Sequence, residues 1–188
     1  MEYLEIFSLI CGLVYVYLQV KQSNWMWPVD ILSCIAATVV FCSQRLWANA
    51  GLNVYYIVMA VWGIFSWLRD SGKVQEDQLH LRRPSRRVLL ISAIILLAGG
   101  TGLILLLGST GDSAPVMDGI IGITGVVGAW WLANSYKENW YVWMVSDALG
   151  TALCISQGLW WMACLYAVYT AVSVAGLLNW RKKGIYVD

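Results

Sequence analysis

Residues 43–67 read SQRLWANAGLNVYYIVMAVWGIFSW, and residues 156–180 read SQGLWWMACLYAVYTAVSVAGLLNW. The two stretches lie 113 residues apart and align without a gap. Trp47 falls on Trp160, Leu52 on Leu165, Tyr56 on Tyr169, Gly63 on Gly176 and Trp67 on Trp180. The same offset holds upstream, where Glu5 falls on Asp118, Gly12 on Gly125, Trp27 on Trp140 and Thr38 on Thr151. Repetition of both the largest and the smallest side chains at one offset is the mark of an internal duplication.

The composition says where such a chain resides. Of its 188 residues 60% are hydrophobic and 12% charged, whereas a soluble domain carries about 25% charged residues. Several apolar runs approach the roughly 20 residues a helix needs to cross a bilayer. They predict seven helices, at Leu4–Val20, Trp27–Phe41, Ala48–Leu68, Val88–Leu107, Met117–Leu132, Trp140–Ile155 and Leu159–Leu178. The runs are continuous rather than alternating, which argues against an outer-membrane barrel. Glu2 and Glu5 stand where a secretion signal would be basic, so the first run reads as a permanent helix.

Basic residues set the direction. If the connections are assigned alternately to two sides, Lys21, the six Lys and Arg of residues 69–87, Lys137 and Arg181-Lys182-Lys183 share one side, and only Arg45 faces the other. The positive-inside rule then predicts an outer N-terminus and a cytoplasmic C-terminus. Two three-helix copies separated by one unpaired helix point the same way. The expected fold is therefore an all-α, polytopic 3+1+3 arrangement of parallel repeats, as in SWEET proteins. Its units are residues 1–68, a loop and linker helix over 69–116, and residues 117–188. Duplicated halves of this kind hold substrate sites between them in transporters. The loop from Arg69 to Arg87 is the only long polar segment, and its four arginines near the linker helix read as setting topology and touching anionic headgroups.

Asp147 is the informative anomaly, because it falls seven residues into the sixth predicted helix. A carboxylate at mid-membrane costs roughly 2.5–3.5 kcal/mol, so it faces a partner or a cavity. Trp140, Trp143 and Asp147 share one helix face, Tyr166, Tyr169 and Ser173 repeat that spacing, and Asn53 and Tyr56 share a face of the third helix. Asp30 shares a face with Trp27 and Cys34. Aromatic walls with a carboxylate and an amide suit a flat cationic ring. Trp25, Trp47, Trp67, Trp160 and Trp180 sit at helix ends and read as interface anchors. Glu5 and Asp118 read as solvated residues at helix ends that could draw cations to an entrance. The five cysteines form no ligand-spaced pair and read as buried hydrophobes. His80 is the single histidine, and no phosphate or dinucleotide fingerprint occurs, so neither an enzyme nor a metal, cofactor or nucleic-acid site is expected.

These residues resemble a known family. Lys137-Glu138-Asn139-Trp140-Tyr141-Val142-Trp143 through Asp147, then Gln157-Gly158-Leu159 and Leu165-Tyr166, are similar to the second half of the PnuC-like vitamin transporters. Gly51-Leu52-Asn53-Val54-Tyr55-Tyr56, Trp62-Gly63 and Trp67 resemble its third-helix motif, and Leu4-Glu5-Ile6-Phe7 and Trp27-Pro28-Val29 also fit. The resemblance implies facilitated diffusion of an unphosphorylated vitamin across a bacterial inner membrane, a homotrimer, and trapping by a cytoplasmic kinase. It assigns substrate contact to Trp143, Asp147 and Asn53. Riboside-transporting members carry Asn in place of Asp147 and Gln in place of Asn53, and Tyr-Gly-Trp in place of Trp62-Gly63-Ile64. With a first half closer to the thiamine-transporting branch, the expected substrate is thiamine, with nicotinamide riboside the alternative. Proton coupling through Asp147 is a further alternative, and a non-transporting sensor or scaffold a lower one.

Overall fold

The computed structural model describes residues 2–43, 47–75, 77–111 and 114–187. Arg45 and the side chains of Glu5 and Trp47 lie outside the described residues. The apolar runs form helices, the local structure that satisfies its own backbone where no water is available. These are α1 (Glu2–Val20), α2 (Met26–Ser43), α3 (Trp47–Ser71), α4 (Arg86–Ser109), α5 (Pro115–Ala133), α6 (Asn139–Ser156) and α7 (Trp160–Lys183). Among the described residues, Met26–Ser43, Asn49–Ser71, Arg86–Ser109, Pro115–Ala133 and Trp160–Lys183 are long and apolar enough to cross a membrane. The protein is a multi-pass membrane protein.

Local chemistry fixes several ends. Ser85 caps α4, its hydroxyl accepting from the Val88 N–H at 3.3 Å. Pro115 opens α5 at a position where a missing N–H is harmless. Arg181, Lys182 and Lys183 close α7, where cations complement the helix dipole. A π turn at Ile95–Gly99 interrupts α4, and a side chain at Gly99 would strike Ile123 of α5.

The same contacts recur at the 113-residue offset. Helix α1 packs on α2 and α5 on α6, α2 on α3 and α6 on α7. Across the two groups, α1 packs on α7 and α3 on α5. Gly63 lies flush against the Trp27 ring and Gly176 against the Trp140 ring, so close that neither has room for a Cβ. Trp27 meets Trp67 edge-on at 4.9 Å, and Trp140 meets Trp180 at 5.5 Å. The Tyr169 hydroxyl seats on Gly12 and the Tyr56 hydroxyl on Gly125, each leaving no space for a side chain. Trp67 and Trp180 then touch each other at 6.1 Å between centroids.

One expectation fails at the basic end of the bundle. Trp67 and Trp180 are not interface anchors, because both are fully buried. Their indole N–H groups donate to the carbonyls of Leu132 and Val20, at 3.1 and 3.2 Å. Trp25 and Trp160, in contrast, are exposed. The 69–87 loop carries structure of its own. Leu79–Leu81 forms a strand, β1, that pairs in parallel with β2 (Gly184–Tyr186) beyond α7. Leu79, His80 and Leu81 are all buried. Several polar groups in this cap are paired, although Asn24 Oδ1, Ser66 Oγ, Glu138 Oε2 and Asn139 Oδ1 at the same end are buried without a partner. The Gln22 side chain donates to the His80 carbonyl at 2.8 Å, and the Ser135 hydroxyl lies 3.0 Å from His80 Nδ1. Gln22 and Ser135, also 113 residues apart, both adopt positive φ, at 52° and 58°. Arg82 donates two hydrogen bonds, at 2.6 and 2.8 Å, to the fully buried Asp70, which Lys73 also reaches at 3.2 Å.

Candidate substrate cavity

Above this cap, α1, α6 and α7 enclose a cavity of about 200 Å³. Helix α6 contributes Trp140, Trp143 and Asp147, which its 3.6-residue turn places on one face. Helix α7 contributes Tyr166, Tyr169 and Ser173 by the same spacing. The two tyrosine rings meet edge-on at 6.4 Å. Gly128 and Gly150 leave the room that Trp143 and Tyr166 occupy. Helix α1 supplies Gly12, Tyr15, Val16 and Gln19 as the remaining wall.

A second cavity of about 210 Å³ adjoins the first and shares Tyr15 and Trp143 with it. Trp27 and Asp30 of α2, Tyr56 and Met59 of α3, and Ala129 and Leu132 of α5 complete its lining. Of the residues singled out in the sequence, Asp147, Trp143, Trp140, Tyr166 and Tyr169 therefore meet in one cavity. Asp30 and Tyr56 meet in the other. Asn53 lines neither; its amide donates to the Asn49 carbonyl one turn back, at 2.9 Å. Tyr15 and Gln19 went unremarked in the sequence, although with Gly12 they follow the i, i+3, i+7 pattern of one helix face.

The polar groups of this region are sparsely paired. Asp147 accepts from the Ser173 hydroxyl at 3.4 Å, a long contact for an O–H donor. Asp30 receives the Cys34 thiol at 3.7 Å, and a thiol is a weak donor. The indole N–H groups of Trp27, Trp140 and Trp143 and the side-chain NH₂ of Gln19 are buried without a hydrogen-bond partner. Such groups cost roughly 1–3 kcal/mol each when left unpaired, and the residues that carry them line the two cavities. Aromatic walls, one carboxyl group in each cavity and nearby unpaired donors can stack on and hydrogen-bond a flat ligand. Asp118, placed at an entrance by the sequence reading, lies in the first turn of α5, where the helix dipole favours a carboxylate.

A helical membrane bundle with aromatic cavities between its two helix groups is an architecture that membrane transporters use. Residues 2–182 match the nicotinamide mononucleotide transporter family, and the chain belongs to that family. It is 27% identical to the riboflavin/roseoflavin transporter RibM of Streptomyces davaonensis, over 91% of this chain and 81% of that protein. It is 19% identical to the nicotinamide riboside transporter PnuC of Escherichia coli, over 96% of this chain and 85% of that one. The crystal structure of the vitamin B3 transporter PnuC shares the fold, with a TM-score of 0.70 at 20% identity over 96% of this chain and 81% of its own.

Proposed function

We propose that this chain carries an unphosphorylated cationic vitamin, thiamine first, across a bacterial inner membrane by facilitated diffusion. The observation that carries the proposal is Asp147, a carboxyl group in an aromatic cavity with one long hydroxyl contact. Thiamine offers what that environment lacks. Its thiazolium is a fixed positive charge that tryptophan and tyrosine faces attract. Its aminopyrimidine brings hydrogen-bond donors and acceptors for the unpaired groups.

Within this reading the seven helices are two parallel repeats, α1–α3 and α5–α7, joined by α4, with the basic end in the cytoplasm. The glycine–tryptophan and glycine–tyrosine contacts that recur at the 113-residue offset support the repeat. The halves rock about the cavity to expose it alternately to each side. A homotrimer and a cytoplasmic kinase that traps the product belong to the proposal through the family resemblance.

Two observations favour other vitamins. The relative from Streptomyces davaonensis is a riboflavin transporter, and an isoalloxazine ring also stacks on aromatic walls. The relative from Escherichia coli carries nicotinamide riboside, whose pyridinium is likewise a cation.

Calorimetry on the purified protein separates these readings. Thiamine binding by the wild type, weakened tenfold or more by Asp147→Asn, is the expected result. Tight riboflavin binding with no thiamine heat sinks the thiamine assignment. In liposomes that lack a kinase, thiamine equilibrates on the proposed mechanism; accumulation driven by an imposed pH gradient moves the assignment to proton coupling through Asp147.

A further inference from the structure

The two adjoining cavities are lined by residues that correspond at the 113-residue offset. Trp27 stands for Trp140, Tyr56 for Tyr169, Ala129 for Val16 and Leu132 for Gln19. The carboxyl groups do not correspond. Asp30 occupies the position of Trp143, and Asp147 that of Cys34. Each cavity nonetheless has one carboxyl group, one wall of aromatic rings and at least one buried indole N–H without a partner. An acidic group thus arises at a different turn of the equivalent helix in each half.

Volume argues that neither cavity is a complete site. At about 200 and 210 Å³, each falls short of the roughly 300–1,000 Å³ of typical ligand clefts, while the two together enter that range. They meet at Tyr15 and Trp143, which belong to both. The second cavity is aromatic and apolar except for Asp30 and the Trp27 N–H, with Met59 and Ala129 among its walls. Hydroxyl and amide side chains, which a sugar or polyol chain requires, are missing from its lining apart from the tyrosines. Its chemistry fits a second flat nitrogen heterocycle: an exocyclic amine donating to Asp30, a ring nitrogen accepting from Trp27, and faces packed on tyrosine and tryptophan.

We infer that the two cavities are the two chambers of one site for a two-part ligand, and that the Asp30 chamber takes its second ring and sets specificity. For thiamine, the thiazolium occupies the Asp147 chamber and the aminopyrimidine the Asp30 chamber, with the methylene bridge beside Trp143. This assignment rests on the proposed function, but the chamber division can fail or survive separately.

The test uses the full-length protein in detergent, with calorimetry for vitamins and saturation-transfer NMR for the N-methylthiazolium ion, a fragment sized for one chamber. Ala129→Leu and Met59→Phe fill the Asp30 chamber, and Asp30→Asn removes its charge. Each is expected to weaken thiamine tenfold or more while leaving fragment binding unchanged, and fragment binding also reports that the variant is folded. Asp147→Asn is expected to lose both ligands. Thiamine bound equally by wild type and by all three Asp30-chamber variants overturns the inference and leaves the proposed function standing. If the wild type binds riboflavin and not thiamine, the thiamine assignment falls; the chamber division then stands if Ala129→Leu weakens riboflavin tenfold and falls if it does not. A wild type that binds neither vitamin overturns both.

Discussion

Asp70 in the cap and Asp147 in the cavity are both carboxyl groups withdrawn from water, and their neighbours differ. Asp70 is fully buried and receives Arg82 through two short hydrogen bonds, with Lys73 and Arg69 beside it. Asp147 has a single serine hydroxyl at 3.4 Å and faces open volume. The contrast extends to neighbouring groups. In the cap, His80, Gln22, Ser135, Trp67 and Trp180 all find partners within the protein. In the cavity, Trp27, Trp140, Trp143 and Gln19 leave donors unused. The paired groups of the cap hold the two helix groups together, whereas on the proposed function the unpaired donors beside the cavities meet a ligand. Stability is therefore expected to depend on the first and binding on the second.

The largest break in that comparison comes from Asp70→Asn. It leaves the half-buried Arg82 guanidinium without its counter-charge; removing one partner of a fully buried ion pair costs roughly 3–5 kcal/mol, and the partial exposure of Arg82 lowers that cost. The variant is expected to lower the thermal unfolding midpoint sharply in detergent. Asp147→Asn, which breaks no ion pair, is expected to unfold within a few degrees of the wild type while losing vitamin affinity. Equal destabilisation by the two substitutions would erase the distinction between cap and cavity.

His80 offers a pH-dependent version. Burial is the main cause that pulls its imidazole from the ordinary 6.5 down to about 4; Arg82 pulls in the same direction, and Asp70 opposes. The folded chain thus holds the ring neutral where the unfolded chain would protonate it. Its stability is complete above pH 6.5 and declines as pH falls toward 4, by up to about 1.4 kcal/mol per pH unit from this residue. His80→Gln is expected to flatten the unfolding midpoint over that window. A midpoint with the same pH slope in both proteins would show that the ring is not held neutral in the cap.

Much of this architecture was legible in the sequence, because continuous apolar runs leave helix as the available structure. Among the described residues a helix covers each of the seven expected runs, with ends shifted by a few residues, and five spans are long and apolar enough to cross a membrane. Helix α7 runs on to Lys183 rather than stopping near Leu178, since Trp180 turns inward and the following cations suit the helix end. The cap was not legible. Strands β1 and β2 have three residues each and pair residues more than 100 positions apart, Leu79 with Gly184. Periodicity cannot register so short a pairing between such distant segments. Within the site, same-face spacing on α6 and α7 found the aromatic wall. It missed α1, where Tyr15 and Gln19 have Gly128 and Leu132 as their offset mates and so carry no echo. Asn53 lines neither cavity for a local reason: its amide satisfies itself on the carbonyl four residues back.

The finest comparison sets like against like, Trp27 against Trp67. Both are buried, both lie in the first helix group, and their rings meet edge-on at 4.9 Å. Their N–H groups differ. Trp67 donates to the Leu132 carbonyl, and Trp27 donates to nothing. Replacement by Phe removes similar ring area from each site, so the packing losses nearly cancel between the two variants. What remains is the hydrogen bond. Trp67→Phe removes one of two hydrogen bonds to the Leu132 carbonyl, which keeps the Ser135 N–H at 2.9 Å, a net loss of roughly 0.5–1.5 kcal/mol, whereas Trp27→Phe deletes a donor that was already unpaired. Trp67→Phe is therefore expected to be the less stable variant by about 1 kcal/mol, as read by denaturant unfolding. Vitamin affinity is expected to follow the reverse order, falling for Trp27→Phe and holding for Trp67→Phe. Should Trp27→Phe prove the more destabilising while binding is untouched, the Trp27 N–H is a structural group, and the Asp30 chamber loses the donor that was to meet the ligand's ring nitrogen.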